Sequence, residues 1–100
     1  MVIKVLDIVP ACNTAAQGTA VAEAVCKYLE KNSSVALSFE GVFDVPSSFV
    51  NTSIVAILFD CKRSNRDGSF AITDVTPQIA EMIRRCVSNR RARENALPDD

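Results

Sequence analysis

Residues 35–59 read VALSFEGVFDVPSSFVNTSIVAILF, and this stretch decides the fold. Its first five residues are mostly apolar with little alternation, which predicts a short strand buried on both faces. Turn-forming residues occupy positions 40–46, and the apolar residues after them recur with helical spacing. That segment is apolar nearly all round, so we expect a core helix whose start is capped by Ser47 and Ser48.

The flanking sequence repeats this strand-then-helix pattern on both sides. Residues 2–9 are β-branched and aliphatic apart from Lys4 and Asp7, and a helical spacing begins at Thr19. Residues 69–75 predict a third strand, after which Thr76 and Pro77 form a strong helix-start signal. The order β-α-β-α-β-α predicts an α/β fold with a small, mostly parallel sheet and packed helices.

Length and composition indicate one domain. The chain has 100 residues, of which 48% are hydrophobic and 23% charged. We assign residues 1–90 to the domain, and we expect residues 91–100 to fray as a tail. The longest apolar run, residues 54–59, is too short to cross a bilayer, and the first residues lack a cleavage-site pattern. We therefore expect a cytoplasmic protein without membrane contact.

The residue types present close most routes to catalysis. The chain has no histidine, which excludes Ser-His-Asp triads, Cys-His dyads and His-bearing zinc sites. The four cysteines show no C-x-x-C spacing, so we expect free thiols, with Cys12 in a polar loop as the one to test for reactivity. The net charge of −1 predicts no attraction to nucleic acid. We expect neither an enzyme nor a bound metal or cofactor.

The candidate site lies at one edge of the predicted sheet. In open parallel sheets, ligands and partners meet the loops at the carboxyl ends of the strands, which here are residues 10–18, 40–48 and 74–77. The middle loop combines two acids, a glycine and two hydroxyls directly before a helix. A phosphate on Ser47 or Ser48 would be tolerated at such a helix start and would add about two negative charges.

Residues 35–59 resemble the central strand–loop–helix of STAS-like domains, bacterial proteins related to anti-sigma-factor antagonists. The shared features are an F-x-G-V turn and a Ser-Ser pair that opens an apolar helix. Residues 70–83 resemble a later strand and the start of the last helix of this group, and Gly18 with the helix that follows it resembles the group's first helix. The resemblance spans residues 2–88 and implies a STAS-like fold and a regulatory role through protein–protein interaction.

The resemblance also implies functional residues. Ser47 and Ser48 fall where antagonists carry their phosphorylatable serine, and Ser48 is the better fit. The implied partner is a histidine-kinase-like ATPase, and phosphorylation is expected to repel an acidic partner surface and break the complex. Phe49 and Val50 replace the Gly-Leu of true antagonists, and Asn51 and Thr52 replace an acidic pair. The predicted partner-binding residues are Glu40, Gly41, Asp44, Phe49, Asn51 and Thr52.

Three alternatives stay open at this point. The strand-end crevice would also suit a small-molecule or nucleotide-binding module, although the chain has no GxGxxG or Walker loop. A homodimer would form if the short sheet borrowed an edge strand from a second copy. Ser47 and Ser48 would be purely structural if they only cap their helix.

Overall fold

The computed structural model describes residues 1–61 and 70–95 as an α/β fold. Three parallel strands form one sheet in the order β1-β2-β3, which confirms the predicted fold class. Each strand therefore lies beside the strand that precedes or follows it in the chain. The strands are β1 (Val2–Lys4), β2 (Val35–Ser38) and β3 (Phe70–Thr73).

Four helices connect and follow the strands in the predicted alternation, and the second predicted helix is divided in two. They are α1 (Ala15–Lys31), α2 (Ser47–Thr52), α3 (Ile54–Asp60) and α4 (Pro77–Asn95). Among the described residues, no helix is long and apolar enough to cross a membrane.

The predicted start of the first helix at Thr19 is wrong, since α1 begins at Ala15. Helix α4 extends to Asn95 and so includes the first part of the segment that we assigned to a tail. The predicted loop at residues 62–68 and the end of the tail at residues 96–100 lie outside the described residues.

One face of the sheet forms the core together with the helices. Ile3 of β1 pairs in register with Leu37 of β2, which pairs with Ile72 of β3, so these three side chains point to the same side. Ile3 and Leu37 are buried in one cluster with the inward residues of α1 to α4, and Ile72 packs against that cluster. The hydrophobic effect of this single layer of helices on one sheet face holds the fold together.

The opposite face of the sheet carries no helix of the described chain. Val2, Ala36 and Ala71 lie side by side on it, and Val2 is 71% exposed. Successive crossovers of one hand between neighbouring strands place their helices on the same side of the sheet, which accounts for this one-sided packing. The expectation that β2 is buried on both faces is therefore wrong at Ala36, which is only half-buried.

The predicted first strand ends early because the chain turns after Lys4. Residues Val5–Asp7 form a 3₁₀ turn, and the amides of Ile8 and Val9 both donate to the Val5 carbonyl, at 3.0 and 3.1 Å. Val5 and Val9 are nonetheless buried. The apolar run at residues 2–9 is therefore not a continuous strand, and only part of it is buried, since Val2 and Leu6 are exposed.

Helices α1 and α2 approach closely at Gly18. A Cβ atom at this position would lie 2.6 Å from the Phe49 carbonyl oxygen and in collision with Thr52 Oγ1. Glycine is required here because any side chain would push the two helices apart. The expectation that Gly18 belongs to a loop is wrong, since the residue lies inside α1.

The break between α2 and α3 occurs at Ser53, which is fully buried. Its backbone leaves helical geometry, with φ −110° and ψ −79°. Its amide and its hydroxyl both donate to the Phe49 carbonyl, at 3.0 and 2.7 Å. Such hydrogen bonding of a serine back to the preceding turn bends helices and satisfies the buried hydroxyl.

Candidate functional site

The loop after β2 begins with a tight turn that depends on Gly41. The Val42 amide donates to the Phe39 carbonyl at 2.9 Å, which closes a β-turn with Gly41 as its third residue. Gly41 has φ +88°, the positive angle that a type II turn needs at this position. A Cβ atom here would also come within 3.1 Å of Leu6 Cδ1, so the turn lies against the segment after β1.

The same loop is fastened to the start of α4. The Thr76 hydroxyl donates to the Phe43 carbonyl at 2.8 Å and accepts from the Ile79 amide at 3.2 Å, so one side chain caps α4 and holds the loop. Val45, two residues later, is buried. The Phe43 side chain is nevertheless 76% exposed. The ring is therefore available for contact with another molecule, and aromatic residues are enriched at protein interfaces.

A hydrogen-bond cluster around Asp74 joins the ends of β2 and β3. Asp74 has φ +59°, a conformation that aspartate tolerates better than most residues. Its Oδ2 accepts from Ser38 Oγ at 2.6 Å and from Thr73 Oγ1 at 3.2 Å. Ser38 Oγ in turn accepts from the Glu40 amide at 3.2 Å. This cluster explains how Ser38 is only 2% exposed although it lies on the uncovered face of the sheet.

Sequence reasoning missed this cluster and missed Phe43. The available signal was positional, since Asp74 and the loop of Phe43 both follow directly after strands, where functional side chains collect.

The carboxyl-end edge of the sheet is acidic. We use the term docking edge for residues 40–48 together with the adjoining strand ends. Glu40 forms an exposed ion pair with Lys4 at 3.5 Å, while Asp7, Asp44 and Asp74 are exposed. The described residues of this edge therefore carry more negative than positive charge. Such a surface attracts a basic partner and repels an acidic one.

Ser47 and Ser48 are exposed and do not cap their helix. Helix α2 begins at Ser47 itself, its capping position is Pro46, and no side chain makes a capping hydrogen bond. The expectation that these serines act as helix caps is therefore wrong. Both hydroxyls lie at the surface within the docking edge, where a modifying enzyme has access to them.

Two of the six predicted partner-binding residues serve the interior instead. Phe49 is fully buried, so its predicted contact with a partner is wrong and its role is to fill the core. Thr52 is half-buried beside Gly18, and its hydroxyl donates to the carbonyls of Ser48 and Phe49 at 2.9 and 3.1 Å. The other four are exposed, three of them in the loop after β2 and one on α2: Glu40, Gly41, Asp44 and Asn51.

Cys12 is not the accessible thiol that its polar neighbours suggested. Its side chain is buried, and burial raises the pKa of this thiol to about 11. A buried thiol that holds its proton at neutral pH is a poor nucleophile. Across residues 1–61 and 70–95, no three side chains of the metal-binding types His, Cys, Asp and Glu form a cluster that could hold a metal ion.

A shallow hollow lies between the loop after β2 and α4. It has a volume of about 390 Å³ and is lined by Asn13, Asp44, Val45, Pro46 and Met82. This hollow corresponds to the strand-end crevice that a small ligand would use. Its charged wall is the Asp44 carboxylate, which disfavours phosphate-bearing ligands.

Comparisons with protein-family models, curated proteins and solved structures gave no match to this chain.

Proposed function

We propose that the protein is a small regulatory protein–protein interaction domain of STAS-like topology that binds its partner through the docking edge. The observation that carries the proposal is Phe43, which is 76% exposed on a loop whose backbone is fixed by Gly41 and Thr76. Covering the Phe43 ring in a complex would remove apolar surface from water, and fixing its backbone lowers the entropy lost on binding. Both features favour a surface that is covered in a complex.

The proposed partner is a histidine-kinase-like ATPase, as the resemblance to anti-sigma-factor antagonists implies. The acidic docking edge supports a partner surface with an apolar pocket for Phe43 and a surrounding excess of lysine and arginine. Charge complementarity of this kind raises the association rate and selects against acidic competitors.

Phosphorylation of Ser48, or of Ser47, is the proposed switch. The acidic docking edge reverses the effect on binding that we expect from this phosphorylation. If the partner surface is basic, a phosphate on either exposed hydroxyl adds negative charge beside Asp44 and tightens the complex rather than breaking it.

Site-specific crosslinking tests the docking edge. A photoreactive phenylalanine analogue replaces Phe43 in cells, and the captured proteins are identified by mass spectrometry. The same analogue at Ser88, an exposed position on α4, is the control. We expect position 43, and not position 88, to capture a histidine-kinase-like ATPase. Capture of the same proteins from both positions would contradict the proposed docking edge.

The switch is tested with the purified ATPase partner. We expect incubation with ATP to place phosphate on Ser48 or Ser47, detected by mass spectrometry. A Ser48→Glu variant is expected to bind severalfold tighter than the unmodified protein at low ionic strength, and this gain should fall as salt is added. Ser88→Glu is the control for net charge alone. Weaker binding by Ser48→Glu would contradict the proposed direction of the switch.

A small-molecule binding module is the second candidate, favoured by the 390 Å³ hollow beside Asp44. Thermal-shift measurements with nucleotides and uncharged metabolites test it, since a ligand that binds only the folded state raises the melting temperature. A shift that is abolished by Met82→Trp, which adds side-chain volume to the hollow from α4, would favour this alternative.

A further inference from the structure

The outward face of α1 carries a second surface that the docking edge does not use. It is a shallow groove with a volume of about 420 Å³, lined by Ala20, Glu23, Ala24, Lys27, Tyr28 and Lys31. The opposite face of the helix is buried in the core through Val21, Val25 and Leu29. The groove therefore lies on the face of α1 that points away from the described residues on which the helix packs.

The groove consists of a low surface over two alanines and a protruding tyrosine side chain next to it. Ala20, Ala24 and Tyr28 are spaced four residues apart and so form one ridge along the helix. The two alanines leave the ridge low, and the Tyr28 side chain, 38% exposed, stands up at its end. A helix that packs here needs a large side chain over the alanines and a small one beside the tyrosine.

The charges beside this ridge are of both signs. Glu23 and Lys27 follow one flank of it, four residues apart, and neither forms an ion pair with another residue of the described chain. A partner helix that runs antiparallel would satisfy both if it carried the same two charges in the reverse order.

A second copy of α1 meets the requirement of shape and pairs Glu23 with Lys27, while Lys31, the third charge of the groove, lies level with Thr19 of the second copy. In an antiparallel pair with the two-fold axis level with Val25, Glu23 of each copy lies level with Lys27 of the other. The same register places each Tyr28 between the levels of Ala20 and Ala24 of the second copy. A two-fold interface requires exactly such a self-complementary patch.

We infer that the protein forms an antiparallel two-fold dimer through the α1 groove. This interface goes beyond the proposed docking function and differs from the edge-strand pairing considered from the sequence. One helix face is smaller than the roughly 800 Å² per partner of a standard interface, so the dimer is weak and its population rises with protein concentration.

Charge reversal at the paired positions tests the dimer by analytical ultracentrifugation. We expect the unmodified protein to show a concentration-dependent monomer–dimer equilibrium. Glu23→Lys and Lys27→Glu should each raise the dimer dissociation constant at least tenfold, since each places two like-charged pairs in the interface. The double variant restores opposite pairs and should recover dissociation close to that of the unmodified protein.

Glu30→Lys is the matched control, because Glu30 is exposed on the same helix but outside the groove. It should leave the dissociation constant unchanged, and circular dichroism should show the same helix content in every variant. A protein that stays monomeric at millimolar concentration would overturn the inference. A dimer whose dissociation constant is unchanged by both single charge reversals would overturn the inference as well, whatever the outcome at the docking edge.

Discussion

At the scale of the residue, Gly18 controls how closely α1 and α2 pack. We predict that Gly18→Ala lowers the free energy of unfolding by about 1–3 kcal/mol, the usual cost of overpacking a close contact. The better helix propensity of alanine opposes only part of this loss. Urea denaturation measures the change, and Thr19→Ala, at the exposed neighbouring position, is the control. If Gly18→Ala were as stable as the unmodified protein or more stable, α1 and α2 would have to lie further apart than the structure shows.

The raised pKa of the Cys12 thiol predicts how the free energy of unfolding depends on pH. Its thiol pKa is raised by burial from the ordinary value of 9.0 to about 11, so the folded state holds the proton over a range where the unfolded state releases it. The stabilising contribution of the protonated thiol is therefore complete below pH 9 and is lost as the pH rises towards 11.

The measurement compares the unmodified protein with Cys12→Ala by urea denaturation at several pH values. The stability difference between them should be constant around neutral pH and should shrink between pH 9 and 11. Because other alkaline titrations affect both proteins alike, they cancel in the difference. A difference that stays constant through this window would mean that Cys12 is accessible to solvent.

Single candidate residues were the least predictable part of the chain. Ser47 and Ser48 were selected by their resemblance to a family pattern and remain a prediction, whereas Phe43 and Asp74 carry no local signal of exposure or strain. Their positions are set by Thr76 and Ser38, which are distant in sequence. A pattern within one segment contains no information on such long-range hydrogen bonds.

At the scale of the element, α1 depends on the cap at its first turn. Thr14 Oγ1 accepts from the Gln17 amide at 3.1 Å, and Gln17 Oε1 accepts from the Thr14 amide at 3.1 Å, which together make a capping box. We predict that Thr14→Ala lowers the free energy of unfolding by about 1 kcal/mol. Thermal or urea denaturation checks this, with Asn13→Ala as the control that keeps the backbone bond to Gln17. An equal loss in both variants would contradict a specific role for the cap.

Element types were easier to predict than their boundaries. The start of α1 was present in the sequence, since Thr14 and Gln17 have the spacing of a capping box, and the apolar spacing from Thr19 onward obscured it. The break at Ser53 could not be predicted, because the apolar pattern of residues 47–59 continues across it. Periodicity reports which side chains are buried and is insensitive to a local bend in the backbone.

At the scale of the whole molecule, the sheet separates a buried face from an open one. We predict that Val2→Thr changes the free energy of unfolding by less than about 0.5 kcal/mol, since Val2 points to the open face. Ile3→Thr, one residue later and on the core face, should cost about 2 kcal/mol or more through a lost methyl group and a buried hydroxyl. Similar losses from both substitutions, measured by urea denaturation, would mean that the second face is also covered.

The α/β class and the parallel sheet followed from the alternation of elements, but the one-sided packing did not. A near-continuous apolar β2 suggested cover on both faces. In the structure, Ser38 is covered by Asp74 instead of by a helix, and Ala36 is only half-buried. Small residues and paired polar residues can occupy such a face without a second layer, and apolar content alone does not distinguish the two arrangements.

The hydrogen bond from the Thr76 hydroxyl to the Phe43 carbonyl also has a consequence for the order in which parts of the chain become fixed during folding. During synthesis the segment after β2 leaves the ribosome well before Thr76, so for that interval nothing from α4 restrains Phe43. The backbone around Phe43 is therefore held in place only after α4 has been synthesised and has packed against this loop.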